Sequence, residues 1–200
     1  MSKILFVSGS ARNGNCKKIL EELQSQFWLE ISTDLVHIRD FELTPCYGCN
    51  VCENTPSNRC VKEDKIDILL GKVMDAEIVV LATPNYFYNV SSLTKNFIDK
   101  TFPCYFNKAL RGKKFIYIYT GNDSEANIKK YLDNSMYGFT ICHELNVLGT
   151  YAFSCDGIGE FSNPQLKQST ISQIINKLRE NIWKEKTAQR IGLFIFLHQE

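Results

Sequence analysis

Residues 3–16 read KILFVSGSARNGNC, and this stretch decides the fold. The mostly apolar, β-prone residues 3–8 predict a buried strand, which runs into a loop of serine, glycine and asparagine before a helical pattern begins. A strand, a loop of small residues and a helix N-terminus together form a nest of backbone N–H groups that stabilises a phosphate. The sequence therefore predicts a phosphate loop, although an ordinary tight turn has the same composition.

The side chains of this loop suit a phosphate monoester. Ser8, Ser10, Asn15 and the backbone of Cys16 supply donors, and Arg12 adds a positive charge. No GxxxxGK[ST] or GxGxxG motif is present, which argues against a nucleoside triphosphate and against the dinucleotide fingerprint. Cys16 begins a helix, where the pKa of a thiol falls, but packing beneath the loop is the favoured interpretation.

Apolar strand patterns alternate with amphipathic helical patterns along the rest of the chain. The predicted strands cover residues 3–8, 34–38, 77–83, 113–120 and 144–153. The predicted helices lie near residues 16–28, 65–75, 91–102, 124–142 and 164–186. This alternation predicts an α/β fold with a doubly wound, five-stranded parallel sheet in the flavodoxin order 2-1-3-4-5, and a cysteine-rich insert after strand 2.

Length and composition indicate one globular domain. The chain has 200 residues, 44% apolar and 22% charged, with a net charge of +1, which argues against a nucleic-acid-binding or anionic-membrane-binding surface. We expect a single domain over 1–190 that includes the cysteine-rich loop 39–64. The N-terminal apolar run is too short for a signal peptide, so a cytoplasmic location is expected.

The last ten residues, 191–200, form an apolar tail. Its apolar run 191–197 is too short to cross a bilayer. We expect a sixth edge strand or a segment packed on the core, and the alternative is an arm that pairs with another subunit.

The loop after the third strand contains three aromatic residues. It reads PNYFYNVSS over 84–92, with Tyr86, Phe87 and Tyr88 in a connection that simple turns do not need. The carboxyl ends of strands 1 and 3 flank the point where strand order reverses, so this loop and the phosphate loop are expected to face one crevice. A planar heteroaromatic ligand suits such a loop, while buried core aromatics are the simpler alternative.

Four cysteines lie within the stretch PCYGCNVCENTPSNRC, residues 45–60. Cys46, Cys49 and Cys52 are spaced by two CxxC steps, and Cys60 follows after seven residues. Four thiolates at this spacing suit an inorganic cluster, a zinc ion, or a set of free loop thiols, and all three alternatives stay open. Cys104, Cys142 and Cys155 are scattered and are expected to be packed or partly exposed thiols.

Three motifs, SGSARNGN, ATPNYFYN and PCYGCNVC, together resemble the flavodoxin-like NADPH-dependent FMN reductase superfamily, and the cysteine spacing is similar to its iron-sulfur flavoprotein branch. The resemblance implies that the FMN phosphate lies on Ser8, Ser10, Arg12, Asn15 and Cys16. It places the isoalloxazine against Pro84, Asn85, Tyr86 and Phe87. It puts a third flavin-side loop at Thr120 and Gly121, and a [4Fe-4S] cluster on Cys46, Cys49, Cys52 and Cys60.

The expected function is therefore electron transfer by an FMN-dependent oxidoreductase with a [4Fe-4S] cluster. The flavin carries the chemistry, so no catalytic side chain is expected. The alternatives are a clusterless NAD(P)H-dependent reductase of FMN or quinones, and a non-catalytic zinc-stabilised binding protein. Expected partners are NAD(P)H, ferredoxin or a quinone, with neither nucleic acid nor membrane. The resemblance also implies a homodimer or homotetramer.

Overall fold

The computed structural model describes residues 3–27, 29–55, 59–62 and 64–197. Its centre is a six-stranded sheet in the order β2-β1-β3-β4-β5-β6. The strands are β1 Lys3–Ser8, β2 Ser32–His37, β3 Ile78–Pro84, β4 Lys114–Gly121, β5 Asn146–Gly157 and β6 Glu160–Phe161. The helices are α1 Asn15–Ser25, α2 Val51–Asn54, α3 Ile66–Asp75, α4 Ser92–Lys100, α5 Phe102–Phe106, α6 Glu125–Cys142 and α7 Pro164–Leu197.

The first five strands pair in parallel, and β6 pairs antiparallel with β5. The prediction of a five-stranded sheet in the order 2-1-3-4-5 is therefore wrong in its strand count, because the order continues to β6. Strand β6 has two residues and follows Gly159, whose φ is +84°. A strand this short has no alternating apolar pattern, so the sequence could not predict it.

Helices cover both faces of the sheet, which explains why the central strands are almost continuously apolar. Every residue of β3 is buried. Alternate residues of the strands point to opposite faces, so Val79 joins a core with α3 and α6, whereas Val80 joins a second core with α1 and α7. Both faces are filled by helices, and the loops at the carboxyl ends of the strands remain for a ligand.

The segment between β2 and α3 carries the cysteines. A 3-10 turn, Ile38–Phe41, follows β2, and α2 is then the single helix of the described insert residues. Residues 56–58 and 63 of the predicted loop 39–64 lie outside the described residues. Four residues cannot make a stable helix alone, so the loop depends on its contacts with α4 and α5.

The C-terminal run does not form the expected edge strand. Residues 191–197 continue α7, and residues 198–200 lie outside the described part of the chain. Extending a helix costs less than starting a new element, which explains why β-prone residues at the end of α7 are helical. Across the described helices, none is long and apolar enough to cross a membrane.

Candidate functional site

A cavity of about 290 Å³ lies at the carboxyl ends of the strands, beside the point where strand order reverses. Four segments form its wall, and they come from the ends of β1, β3, β4 and β5. The residues are Ser10, Arg12, Gly14, Asn15, Cys16, Pro84, Asn85, Tyr86, Thr120, Gly121, Asn122, Cys155, Asp156, Gly157 and Ile158. Most of the predicted flavin-side residues therefore meet in one place, and Ser8 and Phe87 are the exceptions.

The serine hydroxyls shape the phosphate loop. Ser8 is fully buried, and its Oγ accepts from the Ser10 N–H at 3.4 Å, so it lies behind the loop and not in the cavity wall. The Ser10 Oγ accepts from the Arg12 N–H at 3.1 Å. The cap residue of α1 is Gly14, which has no capping side chain, so the first N–H groups of the helix are left for a ligand.

Arg12 brings a positive charge to this cavity wall. Its side chain is exposed, and within the described ranges no hydrogen bond or ion pair occupies the guanidinium. Arg39 braces the loop from outside, donating to the Ala11 carbonyl at 2.8 Å and to Asn13 Oδ1 at 2.7 Å. The loop is thus held by Arg39, and Arg12 is available to an anion.

Asn15 makes a contact that the sequence did not reveal. Its Nδ2 donates to the Gly157 carbonyl at 3.0 Å, and its Oδ1 accepts from the Gly159 N–H at 2.7 Å. The side chain therefore ties the start of α1 to the turn between β5 and β6. This tie brings Asp156, Gly157 and Ile158 into the cavity wall, where sequence reasoning had placed no residue.

Cys16 is a packed thiol. It is buried, its Sγ lies 3.3 Å from Thr120 Oγ1, and burial raises its pKa to about 12. Burial likewise raises the pKa of Cys155, to about 11. Both groups stay protonated near neutral pH, so the structure supports packing over nucleophilic reactivity.

Buried hydroxyl groups support the phosphate loop from below. The Ser91 Oγ donates to the Gly9 carbonyl at 2.5 Å, and the Thr94 Oγ1 donates to Thr83 Oγ1 at 2.9 Å. A Cβ on Gly9 would lie 1.9 Å from Thr94 Oγ1, so only glycine allows this approach. Ser91 also caps α4 by accepting from the Thr94 N–H, and this S-x-x-T cap was the available sequence signal.

Asn85 offers an unused acceptor in the cavity wall. Its backbone N–H donates to the Thr120 carbonyl at 2.7 Å, which fixes the loop after β3 to the end of β4. Its side-chain Oδ1 is buried and has no hydrogen-bond partner among the described residues. A buried, unpaired carbonyl oxygen costs free energy, and a ligand N–H would remove that cost.

Residues 86–89 form a turn that carries three aromatic side chains. Tyr86 and Asn89 exchange backbone hydrogen bonds of 2.9 and 3.0 Å around Phe87 and Tyr88, whose φ angles are +52° and +56°. Phe87 is fully exposed and is not among the residues that line the cavity. Two non-glycine residues in the left-handed region store strain, which is typical of functional loops.

The four cysteines of the insert share a second, small cavity of about 30 Å³. Gly48, with a φ of +63°, and Asn50, with a φ of +55°, turn the chain within the two CxxC steps. Within the described ranges, no three His, Cys, Asp or Glu side chains stand close enough to hold a metal ion. The described part of the loop therefore collects the four thiols at one place.

One family of known proteins matches most of this chain. The profile described as NADPH-dependent FMN reductase matches residues 2–156. An iron-sulfur flavoprotein of Archaeoglobus fulgidus is 30% identical over 185 residues, 89% of this chain and 79% of the relative. An iron-sulfur flavoprotein of Methanocaldococcus jannaschii is 28% identical over 164 residues, 79% of this chain and 83% of the relative.

Solved structures share the fold. The apo form of an NADH:FMN oxidoreductase superposes with a TM-score of 0.61 at 21% identity, covering 90% of this chain and 88% of its own. An azoreductase of Bacillus anthracis superposes with a TM-score of 0.59 at 14% identity, covering 90% and 97%. At these identities the likeness shows a flavodoxin-like architecture.

Proposed function

We propose that this chain, which belongs to the iron-sulfur flavoprotein branch of the NADPH-dependent FMN reductase family, transfers electrons between FMN and a [4Fe-4S] cluster. The chain is an FMN-dependent oxidoreductase. The proposed cluster ligands are Cys46, Cys49, Cys52 and Cys60. The observation that carries this proposal is the meeting of the phosphate loop, the loop after β3 and the end of β4 around one cavity. When bound, FMN accepts an electron pair as hydride and releases electrons singly to a one-electron centre.

The phosphate loop holds the terminal phosphate of FMN in this proposal. The N–H groups at the start of α1 donate to the phosphate oxygens, and Arg12 supplies the positive charge. Ser10 and the backbone of Cys16 line the same wall. Ser8 acts from behind by keeping the loop in shape, and Asn15 acts by fixing the turn after β5.

The loop after β3 holds the ring system. Asn85 Oδ1 accepts from a ring N–H, and Pro84, Tyr86, Thr120 and Gly121 form the adjacent wall. Gly121 keeps this wall open, since a Cβ there would lie 2.9 Å from the Cβ of Asn85. These residues bind and orient the ring. The electron donor in this proposal is a nicotinamide nucleotide or an electron-transfer protein.

The cysteine loop fits a thiolate-bound cluster in its chemistry. Four thiols from one short segment line one cavity. Thiolates are the ligands that iron-sulfur clusters take from proteins. The curated relatives named as iron-sulfur flavoproteins support the same assignment.

Anaerobic purification tests the two cofactors together. We expect a flavin spectrum with broad additional absorption, and about four iron and four sulfide per chain. Flavin without iron would instead support the clusterless reductase, and a colourless zinc protein the binding protein.

The Arg12→Ala variant tests the phosphate loop. Loss of one charge-assisted hydrogen bond should weaken FMN binding by about 10- to 100-fold. Binding of riboflavin, which lacks the phosphate, should stay unchanged, and both affinities follow from quenching of flavin fluorescence. Arg111→Ala is the matched control, because Arg111 is exposed and pairs with Glu144 at 2.8 Å outside the cavity. Equal losses for FMN and riboflavin would contradict the assignment.

A further inference from the structure

A buried ion pair lies against the cysteine cavity. Lys100, the last residue of α4, places its Nζ 2.7 Å from Asp64 Oδ2, and the two side chains are 1% and 2% exposed. Lys100 is among the residues that line the cavity with the four cysteines. Charged side chains this deeply buried are rare, and they occur as pairs because either charge alone would be costly.

Asp64 is held in place by the loop itself. Its Oδ2 accepts from the Thr44 N–H at 2.9 Å and from the Thr44 hydroxyl at 2.6 Å, and its Oδ1 accepts from the Ile66 N–H at 3.1 Å. These contacts fix the carboxylate between the start of the cysteine loop and the start of α3. The carboxylate in turn fixes the position of the Lys100 ammonium.

The ammonium makes a second contact, and that contact is with a cysteine. Lys100 Nζ donates to Cys60 Sγ at 3.2 Å. Cys60 is the fourth cysteine, separated from the CxxCxxC segment by a long gap, so its position is the least constrained by local sequence. Replacing a buried ion pair with apolar residues is often neutral or stabilising, so stability alone does not account for this pair.

We propose that Lys100 positions Cys60 as the fourth cluster ligand and that the charges of Lys100 and Asp64 set the reduction potential of the cluster. This inference rests on the proposed function, because it needs a cluster on the four cysteines. The potential of an iron-sulfur cluster depends on nearby charge and on hydrogen bonds to sulfur. A cation donating to the sulfur favours the reduced state, and the carboxylate behind the cation opposes this effect.

Two substitutions should shift the potential in opposite directions. Lys100→Met removes the cation and leaves the carboxylate, so the midpoint potential becomes more negative and iron is lost faster to a chelator. Asp64→Asn leaves the cation unbalanced, so the midpoint potential becomes more positive. The readout is a reductive titration of the anaerobically purified holoprotein, followed by electron paramagnetic resonance. A purely structural role would shift both variants in the same direction or in neither.

Two further variants control the experiment. Lys129→Met removes a cation from an exposed Lys–Asp pair on α6, where Lys129 Nζ lies 2.6 Å from Asp133 Oδ2, and should leave the potential unchanged. If Lys100→Met does not fold, the double variant Lys100→Met with Asp64→Asn leaves no unpaired buried charge. Its potential should lie below that of the wild type, because the N–H···S bond is lost.

The outcomes distinguish a protein without the proposed cluster from a protein whose cluster is independent of Lys100. A wild-type protein with FMN but without iron and sulfide overturns the proposed cluster, and the role of Lys100 with it. The inference is wrong if the wild type holds its cluster while the Lys100 and Asp64 variants keep the same midpoint potential or shift it in the same direction. The proposed function would then still stand. A Lys100→Met protein that keeps FMN but loses iron supports the positioning role.

Discussion

Individual side chains show where sequence reasoning about the site succeeds and where it stops. Arg12 and Asn85 were predicted in the crevice and lie in its wall. Asn15 was also placed there, but its amide bonds to Gly157 and Gly159, more than 140 residues away along the chain. A polar residue type can be read from sequence as a donor, whereas its partner is decided by the fold.

His143 is a residue whose chemistry became visible only in the structure. It caps the end of α6 and is buried, with Nε2 2.9 Å from Thr101 Oγ1. The Thr101 hydroxyl donates to the Ile98 carbonyl at 2.6 Å, so Nε2 must donate to Thr101. Nδ1 is then an unprotonated nitrogen with no partner among the described residues. Burial, and then the charge of Lys108, lowers the pKa of His143 to about 4.

This lowered pKa predicts acid sensitivity. The unfolded imidazole takes up a proton below its usual pKa of about 6.5, while the folded one does so only near pH 4, so stability is lost as the pH falls between these values. We expect the free energy of unfolding to fall by about 2 kcal/mol from this group between pH 7.5 and pH 5. Urea unfolding at both pH values measures the loss.

His143→Gln separates this contribution from the others. His37, whose pKa is also lowered mainly by burial, titrates in both proteins and cancels in the comparison. The variant should lose about 2 kcal/mol less than the wild type on acidification. Identical pH dependence in the two proteins would show that His143 does not carry the effect.

At the level of helices and strands, the pattern of apolar residues predicted the main elements and missed the short elements α2, α5 and β6 and the continuation of α7 to Leu197. β6 is too short to show a period, and the end of α7 is helical despite its β-prone residues. Interactions between elements were also hidden, because the contact between Gly9 and Thr94 joins the loop after β1 to α4. Local propensity describes each element separately and does not describe how two elements meet.

The contact between the phosphate loop and α4 predicts the effect of Gly9→Ala. The added methyl group would lie 1.9 Å from Thr94 Oγ1, so the loop or the helix must move. We expect a loss of about 1–3 kcal/mol of stability and at least about a tenfold weaker affinity for FMN. Flavin fluorescence and urea unfolding measure the two effects.

Two matched variants test the cause. The double variant Gly9→Ala with Thr94→Ala removes the clashing hydroxyl and should recover part of the FMN affinity. Gly71→Ala is the control, because a Cβ there meets no atom within 4 Å, and it should raise the stability of α3 by about 0.5–1 kcal/mol without changing FMN affinity. Failure of the double variant to recover any affinity would rule out the steric explanation.

For the whole molecule, the alternation of strand and helix patterns was sufficient to predict a flavodoxin-like α/β fold, and the superposed structures confirm it. The site could be predicted in outline because parallel strands bring their carboxyl ends to one edge. The contribution of the turn after β5 could not, since Asp156, Gly157 and Ile158 carry no motif of their own. We propose that residues 1–190 form one domain.

A shortened chain tests this boundary. The residues lining the flavin-side cavity fall between Ser10 and Ile158, and α7 packs on the core through Ile171, Ile174, Leu178 and Ile182. A chain ending at residue 190 should therefore keep its FMN affinity and unfold in one transition, whereas a chain ending at residue 170 should not fold. Light scattering would reveal the alternative, because a smaller assembly after removal of 191–200 would assign these residues to an arm between subunits.

Helix α4 contacts both the phosphate loop and the cysteine cavity, and these two contacts restrict insertions within the helix. Ser91 and Thr94 support the phosphate loop at one end, and Lys100 reaches Cys60 at the other. Thr94 and Lys100 are separated by a rise of about 9 Å, and each residue turns the helix by about 100°. One inserted residue would swing Lys100 away from Cys60 without disturbing Ser91. A whole added turn would restore the direction of Lys100 but move it by about 5.4 Å along the axis. The helix is thus a spacer that is fixed in both phase and length.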